Sequence, residues 1–530
     1  MKRWMTGVWV LVMGCGTVKD PPTCATSADC PAGEYCASAQ GEQRCWPDSH
    51  PPVVSGVAVS CLDVAAGEKC PRDGTLRVTA TASDAEELAE VRVALTLDPS
   101  TAVAMTRTGD TWTADVPLAT VPVAAFEATV DATVTARDGA RQEASATTAA
   151  AIPVTRLRWT TEVEPGQAIA LTPAAVMTDG TVVVAGSNGK VYFVKPDGTR
   201  AHDPVTVGSG QAISAAPAIG TKAIWVGSED AWLRGLALDG SGALAGVAVN
   251  SEGAIRGSVA VFTEATKEWG FVASASGRLA AASTGLDTAR SGATSAYVVG
   301  PAVDSAGRVF AASSGANSTV REFLFDGAFT DQWVTSSPVV GVNVSAAIAL
   351  DRSGNVITGS QDKKINLTTV VGGTSTIATV SDAIVDSPII LPNGDIIVGD
   401  QSGALHRLSS DGTALWTPAR NLGAAVLSPM LLAGTSATLL VPTRAGTLYA
   451  LDGSGAEIWH RSLGTGAELR SGNIHTRPGQ PAGHVVSTAY YPTSDGKLHA
   501  VIVDGQLDTS APWPKAFHDP RNTSNAGTAP

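Results

Sequence analysis

Two regularities of apolar and polar positions divide this chain. From about Pro51 to Pro153, runs such as SGVAVSCL, TLRVTATASD, AEVRVALTLD, DTWTADVPL and FEATVDATVTARDG alternate apolar and polar residues. They are rich in Val and Thr and are separated by turn residues. A period of two predicts half-buried strands, and their spacing predicts a β-sandwich over 51–153. From Thr155 onward the pattern changes. A small residue, often before proline, opens an apolar strand at Thr172, Ala216, Ser258, Gly300, Ser345, Ser387, Ser428 and Ser471, at intervals of 41 to 45 residues.

Other features keep phase with that interval. Turns such as TDGT, DSAGR, DRSGN and PNGD join the first strand to a second, and Asp-Gly and Asn-Gly pairs suit hairpins because they tolerate positive φ. Second strands end in VVVAGSNGK, IWVGSED, VITGSQD or IIVGDQSG. A third strand follows, as in KVYFVKPDG, ALHRLSSDG and TLYALDGSG. A short fourth strand often ends in tryptophan, at Trp159, Trp333, Trp416 and Trp459. Four short antiparallel strands per interval make one propeller blade, so eight intervals predict an eight-bladed β-propeller over 154–526. RLRWTTEV, at Arg156, reads as a blade's last strand but precedes the first full repeat. It is expected to complete the eighth blade and close the ring, which removes the long open edges of a sheet.

Composition agrees with an all-β class. Of the 530 residues, 44% are hydrophobic, 16% are charged and 55 are glycine, which suits folded, turn-rich structure. The net charge of -13, without a Lys/Arg block, argues against nucleic-acid binding, because phosphate contacts need concentrated positive charge.

The first residues, MKRWMTGVWVLVMGC, place Lys2 and Arg3 before an apolar run from Trp4 to Met13. That run is too short to span a bilayer and reads as an export signal. Val12-Met13-Gly14-Cys15 resembles a bacterial lipobox, which implies lipidation of Cys15 after removal of residues 1–14. Lipid chains would anchor the protein without a spanning helix. Gly16, where inner-membrane retention favours aspartate, points to the outer membrane, facing periplasm or cell surface. The remaining cysteines, Cys24, Cys30, Cys36, Cys45, Cys61 and Cys70, are even in number and lack the paired CxxC of zinc sites. In an exported chain they predict disulfides. Residues 15–50 then form a lipidated tether and a four-cysteine module whose connectivity stays open, and Cys61 is expected to pair with Cys70.

Two resemblances add to this reading. TATASDAEELAEVRVAL, DTWTADVPL and VDATVTARDG resemble bacterial immunoglobulin-like domains, which implies a spacer or adhesive module. Asp84 and Asp138 fall where such modules sometimes hold calcium, but aspartates that cap turns account for them more simply. SPMLLAGTSATLLVPTRAGTLYALDGSGAEIW resembles the repeat of the quinoprotein-like propellers, or pyrroloquinoline-quinone repeat proteins. The segment APWPKAFHDPRNTSNAG, from Ala511, resembles a terminal segment of such chains. Quinoprotein dehydrogenases of that group use adjacent cysteines and calcium-ligating acids, and this chain has no cysteine after Cys70.

No GxSxG, HExxH or GxxxxGK[ST] motif is present. His406 and His499 occupy equivalent strand positions and read as structural. No catalytic residue, cofactor or metal is expected. The sharpest candidate is one mouth of the central channel, where Asp386 and Arg470 precede the marker residue in matching slots and Asn343 and Arg256 sit one position earlier. Such a mixed-charge funnel would suit a small ligand or peptide, against the simpler reading of solvated rim groups. The sequence therefore points to a non-enzymatic, lipid-anchored envelope protein that binds envelope or surface proteins through its propeller. The alternatives are a small-molecule or metal-dependent enzyme or sensor using the funnel, and adhesion through the sandwich.

Overall fold

Alternation in the sequence becomes alternation of burial in the structure. The computed structural model describes residues 21–39, 42–48, 50–65, 67–85, 88–264, 266–315, 318–334, 344, 346–434, 438–480 and 483–530. The chain divides into two compact units. The first comprises Met1–Glu68, Thr75–Pro117 and Thr129–Pro153; the second comprises Lys69–Gly74, Leu118–Ala128 and Val154–Pro530.

In the first unit, two four-stranded antiparallel sheets each bury one face. One contains Val53–Cys61, Thr75–Ser83, Thr111–Pro117 and Thr106–Thr108; the other contains Glu143–Thr147, Ala132–Asp138, Leu88–Leu95 and Asp98–Ala104. Leu76, Val78, Ala80 and Ala82 point inward from one strand, and Ala132, Val134 and Ala136 from another. The four-cysteine module is a hairpin of Glu34–Ala39 with Glu42–Pro47, stapled by Cys24–Cys36 and Cys30–Cys45. Cys61 and Cys70 are also disulfide-bonded. The module is not a loose tether. Gly33 donates its amide to Ala140 O at 2.9 Å, and Arg141 reaches Ala28 O at 2.8 Å.

The second unit is a propeller-type array. Eight sheets of its described residues make up the array, numbered here by their first strands: Ala175–Val176, Ala218–Ile219, Ala260–Glu264, Ala302–Val303, Ala349–Leu350, Ile389–Ile390, Met430–Ala433 and Asn473–Thr476. Each has four antiparallel strands in meander order, and the seventh gains a fifth, Gln506–Leu507. Both faces of each sheet are apolar and meet a neighbour. Val183 and Phe193 of the first sheet pack with Ile224 and Leu236 of the second. Trp225 of the second packs with Val272 of the third, lying where a Cβ on Gly270 would come within 2.5 Å of its ring. The series continues until Tyr490 and Leu498 of the eighth sheet meet Val176 and Tyr192 of the first. Each fully buried aliphatic side chain contributes about 1.5–3 kcal/mol, so these interfaces dominate the unit's stability.

The closing strand lies where the repeat phase places it. Leu157–Glu162 pairs with Lys497–Asp504 through Trp159↔Ala500 and Thr160↔His499, which makes it the outer strand of the eighth sheet. Trp416 departs from the expected pattern. It does not end an outer strand; that strand of the sixth sheet is the later pair Arg420–Asn421. Pro418 between them has no N–H to donate to a ladder.

The segments Lys69–Gly74 and Leu118–Ala128 are pinned to this unit by two buried arginines. Arg72 donates to Leu118 O and to Val121 O, and Arg156 to Ala125 O, Val123 O and Ile502 O. Asp504 pairs with both guanidinium groups, at 2.9 and 2.6 Å. Phe126 meets Trp459 edge-on, with centroids 5.3 Å apart.

Candidate functional site: the axis of the ring

The first strand is the edge of its sheet except in the seventh, where Gln506–Leu507 pairs with part of it, so the free backbone groups of these strands face the ring's axis and need partners. The segment after Ala511 supplies them. Ile390 and Leu431, in the sixth and seventh sheets, donate amides to Trp513 O and Pro514 O at 2.8 and 2.9 Å. Val176, Ile219, Val261 and Val303, in the first to fourth sheets, donate to Pro520 O, Arg521 O, Thr523 O and Ser524 O at 2.8 to 2.9 Å. The eighth sheet joins through Asn473, whose side-chain amide reaches Pro520 O at 2.7 Å. Phe517 packs with Ala216 and Ala347, the latter just before the first strand of the fifth sheet. The segment thus winds once around the axis, in the order of the sheets.

Most of its polar side chains are buried, and Lys515, Asp519 and Asn522 are hydrogen-bonded, whereas Trp513 Nε1 is buried without a partner. Lys515 donates to Ala516 O at 2.6 Å, Asn522 Oδ1 at 2.9 Å and Asp519 O at 3.1 Å. Burial lowers its pKa to about 7, against the opposing charges of Asp519 and Asp386. Asp519 accepts from the amides of Arg521 and Thr523 and from Thr528 Oγ1. Phe517, His518, Asn522 and Ser524 all have positive φ, between 48° and 75°. Such non-glycine conformations persist where surrounding contacts over-determine them. The sequence reading set this segment aside as a terminal motif and missed that it fills the axis. Its density of Pro, Asn and Asp was the available signal.

Three of the four expected funnel residues are described, and each has partners of its own. Asp386 bridges three sheets, accepting from Ser387 N at 2.7 Å, Ser428 N at 3.0 Å and Ser471 Oγ at 2.5 Å. Three of the marker residues therefore converge on one carboxyl group. Arg470 donates Nε to Leu171 O at 2.9 Å and lies 3.3 Å from Glu468. Half-exposed Arg256 sits 3.6 Å from Glu229. Asn343 and Cys15 lie outside the described residues.

Other polar groupings spend their hydrogen bonds mainly within the fold, although His499 Nε2 and Asp138 Oδ2 are buried without a partner. Asp400 is fully buried; burial would raise its carboxyl, but hydrogen bonds from His406, Ser402, Ser381 and the Ala404 amide hold it down at about 2. Ser381, His406 and Asp400 share the residue types of a nucleophilic triad. Here the same atom, His406 Nε2, faces Asp400 at 2.9 Å and Ser381 at 3.2 Å, so no relay runs from acid through imidazole to hydroxyl. Glu268, on the third sheet, takes donors from the second: the Thr221 hydroxyl at 2.8 Å, the Lys222 and Ala223 amides at 3.1 Å and Trp225 Nε1 at 3.0 Å. His499 is buried, bonds Thr160 through Nδ1 at 2.9 Å, and is lowered by that burial to about 4. Asp138 is buried and caps a turn, accepting the Gln142 amide at 2.8 Å; burial raises it, as do the charges of Asp48 and Asp84. Among the described residues, one group of three His, Cys, Asp or Glu lies close enough to share an ion: Cys24, Cys30 and Cys36. Their sulfurs are committed to disulfides. No described helix is long and apolar enough to cross a membrane.

Comparisons with known proteins speak to fold. No family model matches the chain, and no curated protein does. Among solved structures, the computationally designed Ika8 protein matches with a TM-score of 0.50 and 14% identity, over 65% of this chain and 99% of that one. BamB from Moraxella catarrhalis matches with a TM-score of 0.47 and 14% identity, over 64% of this chain and 99% of that one. Such likeness concerns fold alone. The cyclic stack of four-stranded sheets itself makes the second unit a propeller-type fold.

Proposed function

We propose that this protein is a non-enzymatic, lipid-anchored scaffold of the cell envelope, and that its eight sheets are the blades of an eight-bladed propeller that binds other envelope proteins. The immunoglobulin-like unit and the stapled cysteine module would act as spacer. The observation that carries this reading is the internal saturation of the polar groups with chemical potential. Asp386, Asp400, Glu268 and Lys515 each spend their hydrogen bonds on holding strands, turns or the axial segment together. A reactive or ligand-binding group needs at least one bond left for its substrate. The disulfides and the N-terminal signal support export.

The test is affinity capture with the intact chain from solubilised envelope, with Asp386→Ala/Arg470→Ala alongside. The scaffold reading expects a defined set of envelope proteins, retained by the double variant. Capture of none, together with tight binding of a small molecule or metal by the purified protein, would overturn it.

A further inference from the structure

We infer that the ring's axis is a binding site for a peptide, and that its present occupant is the chain's own turn-rich segment from Ala511 to Ala526. This goes beyond the scaffold reading and does not depend on it, since proteins bound elsewhere on the ring leave the axis unaffected.

Three features make the segment a ligand of the ring rather than another layer of it. First, the segment contributes no strand to any of the eight sheets. The inter-sheet interfaces are filled by side chains of the repeats, and closure is made by Leu157–Glu162. Ala511 and Trp513 alone of the segment reach into those clusters, as anchors. Second, recognition is of main chain. Six carbonyls in single file meet six repeat-equivalent amides, as when an extended peptide adds to exposed sheet edges. Asparagine side chains set the register: Asn473 reads Pro520 O, and from the segment Asn522 reads Ala174 O at 2.8 Å and Asn525 reads Val261 O at 2.9 Å. Third, the left-handed residues at Phe517, His518, Asn522 and Ser524 give the segment a shape imposed by its surroundings, as a bound guest has. The peptide class follows: an aromatic-Pro start, a lysine that closes on carbonyls within its own turn, and an asparagine seven residues after that lysine. The same segment of a second copy satisfies all three.

The test places a protease recognition sequence between Asp508 and Thr509 of the full chain, cuts after folding, removes the released segment by washing in mild denaturant and refolding, and adds a fluorescent synthetic peptide of residues 509–530. The expected result is uptake of the peptide by the cut protein at micromolar concentration or below, at least tenfold weaker uptake of an Asn522→Ala peptide, and little uptake by uncut protein. The inference fails if the cut protein keeps its β-sheet circular dichroism yet takes up no peptide. It fails also if the Asn522→Ala peptide binds equally, or if cutting unfolds the ring and the peptide does not restore it.

Discussion

Glu268 illustrates what a buried polar side chain does in this ring. Its carboxyl group joins the second sheet to the third through four residues' donors. Removing one member of a buried network strands the rest. Glu268→Ala should therefore lower stability by about 3–5 kcal/mol in urea titration, and Glu268→Gln, which keeps part of the acceptor set, by less. Asp400 makes a pH prediction. Its folded pKa lies below the usual 3.8, so its bonds stabilise the fold above pH 4, and that gain is lost as pH falls towards 2. Asp400→Asn should be less stable than the parent at pH 6 by about 2 kcal/mol, with the difference shrinking between pH 4 and pH 2 in thermal melts. Neither role was legible beforehand. A Glu or Asp in a repeat looks alike whether it faces solvent or a neighbouring sheet; Glu268 takes its donors from the preceding repeat, and Asp400 takes Ser381 from outside its own turn. Asp386 drew notice for its slot, but its partners Ser428 and Ser471 belong to later repeats.

At the scale of elements, the repeat carried most of the fold. Strand periodicity and the marker residues located each sheet's first strand, and the unpaired RLRWTTEV identified the closing strand before any pairing was known. In GTLYALDGSGAEIW, Leu448 and Ala450 face the eighth sheet, while Tyr449 and Leu451 face the sixth. Outer strands were less legible, as Trp416 shows, since they pack on one side only and tolerate variation. Trp159 ties the closing strand to the first sheet, with Nε1 2.8 Å from Pro196 O, and its ring lies 5.9 Å from Tyr490 of its own sheet. Trp159→Ala should cost about 2–4 kcal/mol. Limited proteolysis should then cut first near residues 155–165 if ring closure is what that tryptophan secures; unchanged cleavage sites would count against it.

For the whole molecule, the axial segment stayed hidden because its bonds are to main chain, which side-chain patterns do not report. Cys15→Ser should move the protein from the membrane fraction to the soluble exported fraction without altering its melting curve. Retention in the membrane would remove the lipid anchor from the proposed function. One consequence reaches further. Because Arg72, Arg156 and Phe126 bind two upstream segments into the ring unit, residue 153 is not a seam. A fragment starting at Val154 would strip Trp459 of Phe126 and leave Arg156 without the carbonyls of Val123 and Ala125. Gene recombination can thus replace the stretches 75–117 and 129–153 as insertions, but it cannot transplant the ring alone. The ring unit is discontinuous in sequence, so cuts at the boundary that the repeat pattern suggests should destabilise it more than exchanges within 75–117 or 129–153.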